Sequence, residues 1–308
     1  ADQVAVFNEG RIAQVGALTT TGIADLAATQ IRAFAVTQLN AMSSTNVNAL
    51  TETQFAALTS TQIAGLSTTQ AGILSATNIA AMTTTQAGAL TATQLGRLTS
   101  EALIAFDATQ FAAFSATQVR ALTTTQIGNL EAADIAEFTT TQIAGLATTQ
   151  VRGLTETAVA ALAATQIAAL TVPQIQSLST TSLVGFADTQ IGALTTTQIG
   201  GLLAPQVSAF GATTVAALAA TQISAMSATQ IAALGSTNFA ALDSTQIGAL
   251  TTTQMRSLTT SQIASIDAGQ VSSFTTTQLT QLSGTQLKSL STSNLSALDT
   301  TQMGPLTA

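Results

Sequence analysis

The chain has no cysteine, histidine, tryptophan or tyrosine. Without cysteine its stability owes nothing to disulfides. Without cysteine and histidine it lacks the usual nucleophile–base pair and the soft metal ligands. Charge is scarce too, with seven Lys and Arg against fourteen Asp and Glu in 308 residues. So few dispersed cations give nucleic acid no electrostatic footing. Phosphate-binding loops and glycine-rich calcium nonapeptides are also missing. Although 46% of the residues are hydrophobic, Thr and Gln interrupt them every few positions. No run approaches the roughly 18 residues of a membrane-spanning helix. A net charge of −7 and abundant hydroxyls predict a soluble chain with a nearly neutral surface. No catalytic, cofactor-binding or metal-binding residue is assigned, and no enzyme is expected.

What the chain does have is a period. Leu58, Leu66, Leu74, Met82, Leu90, Leu98, Phe106, Phe114 and Leu122 are each eight residues apart. The phase holds from Leu18 to Leu306, which is (306−18)/8 = 36 octads. An unbroken short period marks a solenoid or array. With the large apolar residue at position 0, the unit reads Leu, Thr/Ser/Asp, any residue, Thr, Gln, Ile/Val/Leu, Ala, Ala/Gly. Positions 0 and +5 would lie on opposite faces of a strand, so a β reading fails on parity. In one long helix, eight residues advance about 800°, and the apolar stripe would drift about 80° per repeat. Each octad is therefore expected to be its own short helix followed by a change of direction.

Local chemistry supports this. Position +1 carries preferred N-caps, among them Thr59, Ser67, Ser75, Thr83, Thr91, Asp107, Ser115, Asp243, Asp267 and Asp299, with Gly211 and Gly235 as variants. Gln follows three residues later, as in Thr59 with Gln62 and Thr83 with Gln86, which is capping-box spacing; Leu58 and Ile63 have hydrophobic-staple spacing. Pro173 and Pro205 fall at +3, inside the first helical turn, where no intrahelical donor is lost. Most glycines fall at +6 or +7, where they end a helix or allow close backbone approach. Arg32, Arg120, Arg152, Arg256 and Lys288 at +6 place that position in water, with 0 and +5 in the core and +7 in tight contact. The prediction is an all-α fold, an α-solenoid of short capped helices, one per eight-residue repeat.

The competing reading, a disordered low-complexity tract, conflicts with two large apolar groups in phase in every octad. Burial of those two groups does not offset the ordering of eight backbones, so stability must belong to the stack. Residues 1–17 depart from the repeat and read as an N-terminal cap or assembly segment, with 18–308 as the solenoid. Within them, Gln3–Phe7, Asn8–Gly10 and Arg11–Val15 resemble a small β-hairpin; the alternative is a degenerate first octad, since Val15 keeps the phase. The start at Ala1 fits a processed terminus or an excised fragment. The repeat runs to Leu306 without a polar cap, which suggests truncation of a longer array or head-to-tail stacking. Pairs such as Pro173 and Pro205, or Arg120 and Arg152, are 32 residues apart and hint at four octads per coil turn; two per turn fits equally.

The acids are dispersed, and Asp107, Asp243, Asp267 and Asp299 are expected to cap helices. Glu131, Asp134 and Glu137 form one cluster that reads as a solvated acidic face, with a weak calcium site as the alternative. The run Leu194–Leu202 (Leu-Thr-Thr-Thr-Gln-Ile-Gly-Gly-Leu) resembles octad repeats of very large secreted or surface proteins of proteobacteria, often labelled haem-utilisation or adhesion proteins. The resemblance covers about residues 18–306 and implies an extracellular, structural or adhesive role. It implies no haem site here, because His, Cys and Tyr are missing and the five Met show no pairing. The expectation is a structural protein at the cell surface that partners itself head to tail. The alternatives are the stalk of a larger adhesin, or a Thr array that binds ice or a glycan matrix.

Overall fold

The computed structural model describes residues 12–306. Among them, 37 α-helices of four to six residues follow one another from α1 (Ile12–Gly16) to α37 (Thr300–Met303), and there is no strand. A short 3-10 turn, Gly304–Leu306, follows the last helix. The fold is the expected α-solenoid with one short helix per octad. A single helical turn cannot stand alone in water, so every helix depends on its neighbours.

The octad chemistry sets the boundaries. In α7 (Ser60–Gly65), the N-cap Thr59 has extended backbone, with φ −78° and ψ 158°. Its hydroxyl accepts from the Gln62 N–H at 3.2 Å, and its own N–H donates to Gln62 Oε1 at 2.7 Å. The helix ends when Leu66 returns to extended backbone at φ −59° and ψ 139°. The chain thus turns each corner with ordinary residues. Glycine at +6 or +7 was expected to end a helix or allow close backbone approach, and Gly96, the C-cap of the helix Ala92–Leu95, does both in right-handed backbone, a Cβ there falling 2.8 Å from the Ala121 carbonyl oxygen. Among the described residues only Gly235, at φ 72°, has positive φ.

The chain forms two compact units, one ending at Ala161 and one starting at Leu162. Each is a coil of octads. In the first, α1 packs against α4 (Val36–Ala41), and α14 (Ala116–Arg120) against α17 (Thr140–Gly145). In the second, α29 (Gly235–Phe239) packs against α32 (Thr260–Ser265). Neighbours across a turn are thus three helices apart. Hydrogen bonds between turns span 25 to 31 residues, or roughly three to four octads of eight. The turn is larger than the two-octad alternative and slightly tighter than four.

Positions 0 and +5 form the core as expected; Ile63 is 0% and Leu66 4% exposed. In one stretch of this core the rings meet edge to face, Phe106 with Phe114 at 5.0 Å and Phe111 with Phe114 at 5.7 Å between centroids. The same phase overrides the hairpin reading at the N-terminus. Its return arm, Arg11–Val15, is helical from Ile12, and Val15 is fully buried at the +5 position of a first octad. Its outgoing arm and loop lie outside the described residues.

Two glycines at the same octad position give a test of packing. Gly200 and Gly248 both lie at +6, within α24 (Thr196–Gly201) and α30 (Ser244–Gly248). A methyl group at Gly200 would lie 2.9 Å from the Ala225 carbonyl oxygen, whereas at Gly248 the nearest atom is 3.9 Å away. Gly248→Ala is expected to stabilise the protein by up to about 1 kcal/mol through helix propensity. Gly200→Ala is expected to destabilise it, because a backbone must shift. Urea unfolding of the two variants checks the difference in sign.

Candidate functional site

The most densely organised chemistry in the molecule is the glutamine at +4, and it faces inward. Gln94 is 1% exposed. Its Oε1 accepts the N–H of the N-cap Thr91 at 2.7 Å. Its Nε2 donates to the carbonyls of Ile63 at 2.9 Å and Leu66 at 2.8 Å, with Ala64 further out at 3.2 Å. One amide thus serves an orphan donor at the start of its own helix and carbonyls at the end of a helix one coil turn earlier, where Ile63 already accepts the Leu66 N–H. Gln54, Gln62, Gln198 and Gln254 repeat the arrangement.

Octads with an alanine cap show that the tether is separable from the box. Ala27, Ala35, Ala147 and Ala219 offer no side-chain acceptor, and there the Gln N–H turns to the cap carbonyl, at 2.9 to 3.0 Å. The Gln side chain still accepts the cap N–H in all four, as from Ala147 to Gln150 at 2.7 Å. Gln150 and Gln222 also keep their bonds to the preceding turn. The sequence pattern pointed to the capping role and missed the tether. The signal was present: Gln stays at +4 even where alanine leaves no reciprocal box to complete.

The acidic cluster occupies a departure from this pattern. Asp134 stands where Gln is usual and accepts the Glu131 N–H at 2.7 Å. A carboxylate has no donor for the preceding turn, and no side chain donates to the Phe106 carbonyl among the described residues. Glu137 Oε2 is buried without a hydrogen-bond partner. Burial, then the charges of Asp134 and Asp107, push the Glu137 pKa above its ordinary value. Asp107 moves the other way, held low by the Thr109 hydroxyl at 2.7 Å and the Gln110 N–H at 2.9 Å. The coil therefore brings Glu137 near Asp107, an acid of another octad, while Glu131 is exposed. Among the described residues no group of three or more acids is arranged to hold a metal ion.

The outer surface offers little convergent chemistry. Its depressions are open and lined by groups such as Thr68, Thr69, Gly72, Ile73 and Arg97, or Glu52, Ala76, Thr77, Ala80 and Ala105. Ile73, Ile104, Val184 and Leu203 are exposed apolar side chains on this surface. No helix among the described residues is long and apolar enough to cross a membrane. Asp107, Asp243, Asp267 and Asp299 cap their helices through the side chain, as expected.

The model of the ALTTAQ repeat family matches residues 36–68 and 239–276. Those six letters lie in phase with the octad, as in Ala249-Leu250-Thr251-Thr252-Thr253-Gln254. The chain is a repeat protein similar to that family over these two stretches. No curated protein matches it.

Two substitutions test the buried polar groups. Gln94→Glu keeps the acceptor for Thr91 but turns a carboxylate towards the Ile63 and Leu66 carbonyls. It is expected to cost about 2–4 kcal/mol near neutral pH, and less at acid pH, where a protonated carboxyl can donate again. Guanidinium unfolding at both pH values reads this out. For Glu137, the raised folded pKa means that its relative contribution is full below the unfolded value of 4.5 and lost as pH rises through the folded pKa. Glu137→Gln is therefore expected to raise the melting temperature at pH 7, with the gain shrinking below about pH 4.5.

Proposed function

We propose that this chain is a non-catalytic structural protein, a scaffold of the bacterial surface or extracellular matrix whose coils stack end to end. The observation that carries this reading is the direction of its chemistry. Positions 0, +4 and +5 are spent on packing one turn against the next, while +2, +3 and +6 present mostly hydroxyl groups and methyl groups to water. Among the described residues this surface brings no acid, base and nucleophile together in the way an active site is built. Extracellular placement rests on the resemblance of the octad to repeats in secreted and surface proteins of proteobacteria. Self-association rests on the interface itself, because each turn presents to the next the same face that it covers on the one before.

A second reading has its own observation. Thr84 and Thr85, or Thr196 and Thr197, are exposed and recur in phase, whereas the +1 hydroxyls are engaged in capping, as Thr83 is with Gln86. A regular hydroxyl array suits a stalk that carries an adhesive tip, or a face that binds ice or glycan.

Electron cryomicroscopy of native, never-denatured protein tests the leading reading. Filaments with a constant axial repeat are expected. Isolated short rods at high concentration overturn the stacking part and favour the stalk.

A further inference from the structure

We infer that each unit of the coil carries an acidic flank and a basic flank on nearly opposite sides, and that copies of this chain pair side by side through them. The contact is lateral and goes beyond the end-to-end stacking above. Hydroxyl and methyl groups cover the surface evenly, but charge does not. The Gln tethers span 28 residues from amide to zero-position carbonyl, as from Gln94 to Leu66 and from Gln198 to Leu170. The close approaches of Gly96 to Ala121 and of Gly145 to Ala116, 25 and 29 residues apart, bracket that value. The remainder on dividing a residue number by 28 therefore gives its place around the turn. In the described part of the first unit all eight acids fall between 16 and 25, from Glu156 at 16 and Glu101 at 17 to Asp25 and Glu137 at 25. Its four described arginines fall between 4 and 13, with Arg32 at 4, Arg120 at 8, Arg152 at 12 and Arg97 at 13. In the second unit Asp188, Asp243, Asp267 and Asp299 fall at 20, 19, 15 and 19, against Arg256 and Lys288 at 4 and 8. Within each unit the two sets do not overlap, and their centres stand about 12 residues apart, close to half a turn. All six of these cations are exposed, as are all of these acids except the half-buried Asp134 and Glu137. Among the described residues no acid forms an ion pair with a cation.

Charge complementarity specifies the occupant. The molecule carries its own counter-charge on its other side, and both flanks recur with the turn of the same coil. A second copy therefore presents cations at the spacing at which the first presents acids. Exposed Ile73 and Ile104 lie on the acidic flank as well, at 17 and 20, and Ile73 lines one depression with Glu101. An arginine stem covers such apolar groups while its guanidinium reaches the carboxylate. One exposed ion pair contributes little, but a row engaged together gains from being multivalent. Acid against acid is repelled, which fixes the orientation. Joining unlike flanks makes the contact heterologous, so it propagates into bundles or sheets of coils.

Sedimentation of the full chain at about 0.02 M and about 0.5 M salt tests this, because screening at the higher value acts within a few ångströms. A net charge of −7 spread evenly would make copies repel more as salt falls. The segregated charges are expected to do the opposite, with association at least tenfold tighter at low salt. One variant combines Arg97→Gln, Arg120→Gln and Arg152→Gln; the other combines Glu52→Gln, Glu101→Gln and Glu156→Gln. Each is expected to weaken self-association at low salt tenfold or more, at unchanged helix content by circular dichroism. Mixing the two is expected to restore it, since each keeps the flank that the other has lost. Association that is unchanged by salt and in both variants overturns the lateral contact and leaves end-to-end stacking through the apolar core in place. A mixture no tighter than either variant alone also overturns it, and a wild type that stays monomeric at low salt overturns both.

Discussion

The structure depends on one side-chain amide used at both ends. A helix of one turn has more unpaired backbone groups than internal bonds, and burying them unpaired would be prohibitive. The Gln at +4 relieves both termini together, because its oxygen takes a donor at the head of its own helix while its nitrogen serves carbonyls at the tail of another. No other side chain has a donor and an acceptor on a stem of that length. Removing the amide would leave buried donors and acceptors without partners, which costs more than the net gain of an ordinary hydrogen bond.

Natural variation within the chain dissects this requirement. Asn, one methylene shorter, still reaches the preceding turn, as in Asn46 to the Leu18 carbonyl at 2.6 Å and Asn238 to that of Phe210 at 2.6 Å. Asn78 manages both bonds, but its link to the Ser75 N–H lengthens to 3.2 Å and its tether to 3.3 Å. Asp134 preserves the cap bond and has no donor for a tether. At Ala102 both uses of the amide are lost, although Thr99 still caps the helix. The coil tolerates such octads singly because neighbouring turns hold the register through the core.

This economy also explains why the molecule carries so little that looks like a site. The octad has eight positions, and inward packing and capping occupy most of them. What is left for solvent is chemically uniform, and uniformity favours contact with something that repeats in the same way. The acidic octad around Asp134 is an exception in composition, yet its chemistry is a local strain on packing: an unpartnered carboxylate oxygen close to other acids.

Much of the fold was legible from residue order alone. The eight-residue phase, the cap at +1, the Gln three residues on and the apolar residues at 0 and +5 determined that each octad would be a short capped helix in a stack, because these are local and periodic constraints. They even contained the correction at Val15, whose phase outweighed the strand-like look of its neighbours. Residue order did not determine how many octads close a turn, nor that the Gln amide reaches back 28 to 31 residues. Nor did it reveal that Glu137 would meet Asp107 from another octad. Those depend on which backbone groups the coil brings within about 3 Å, and that distance is set by packing between turns.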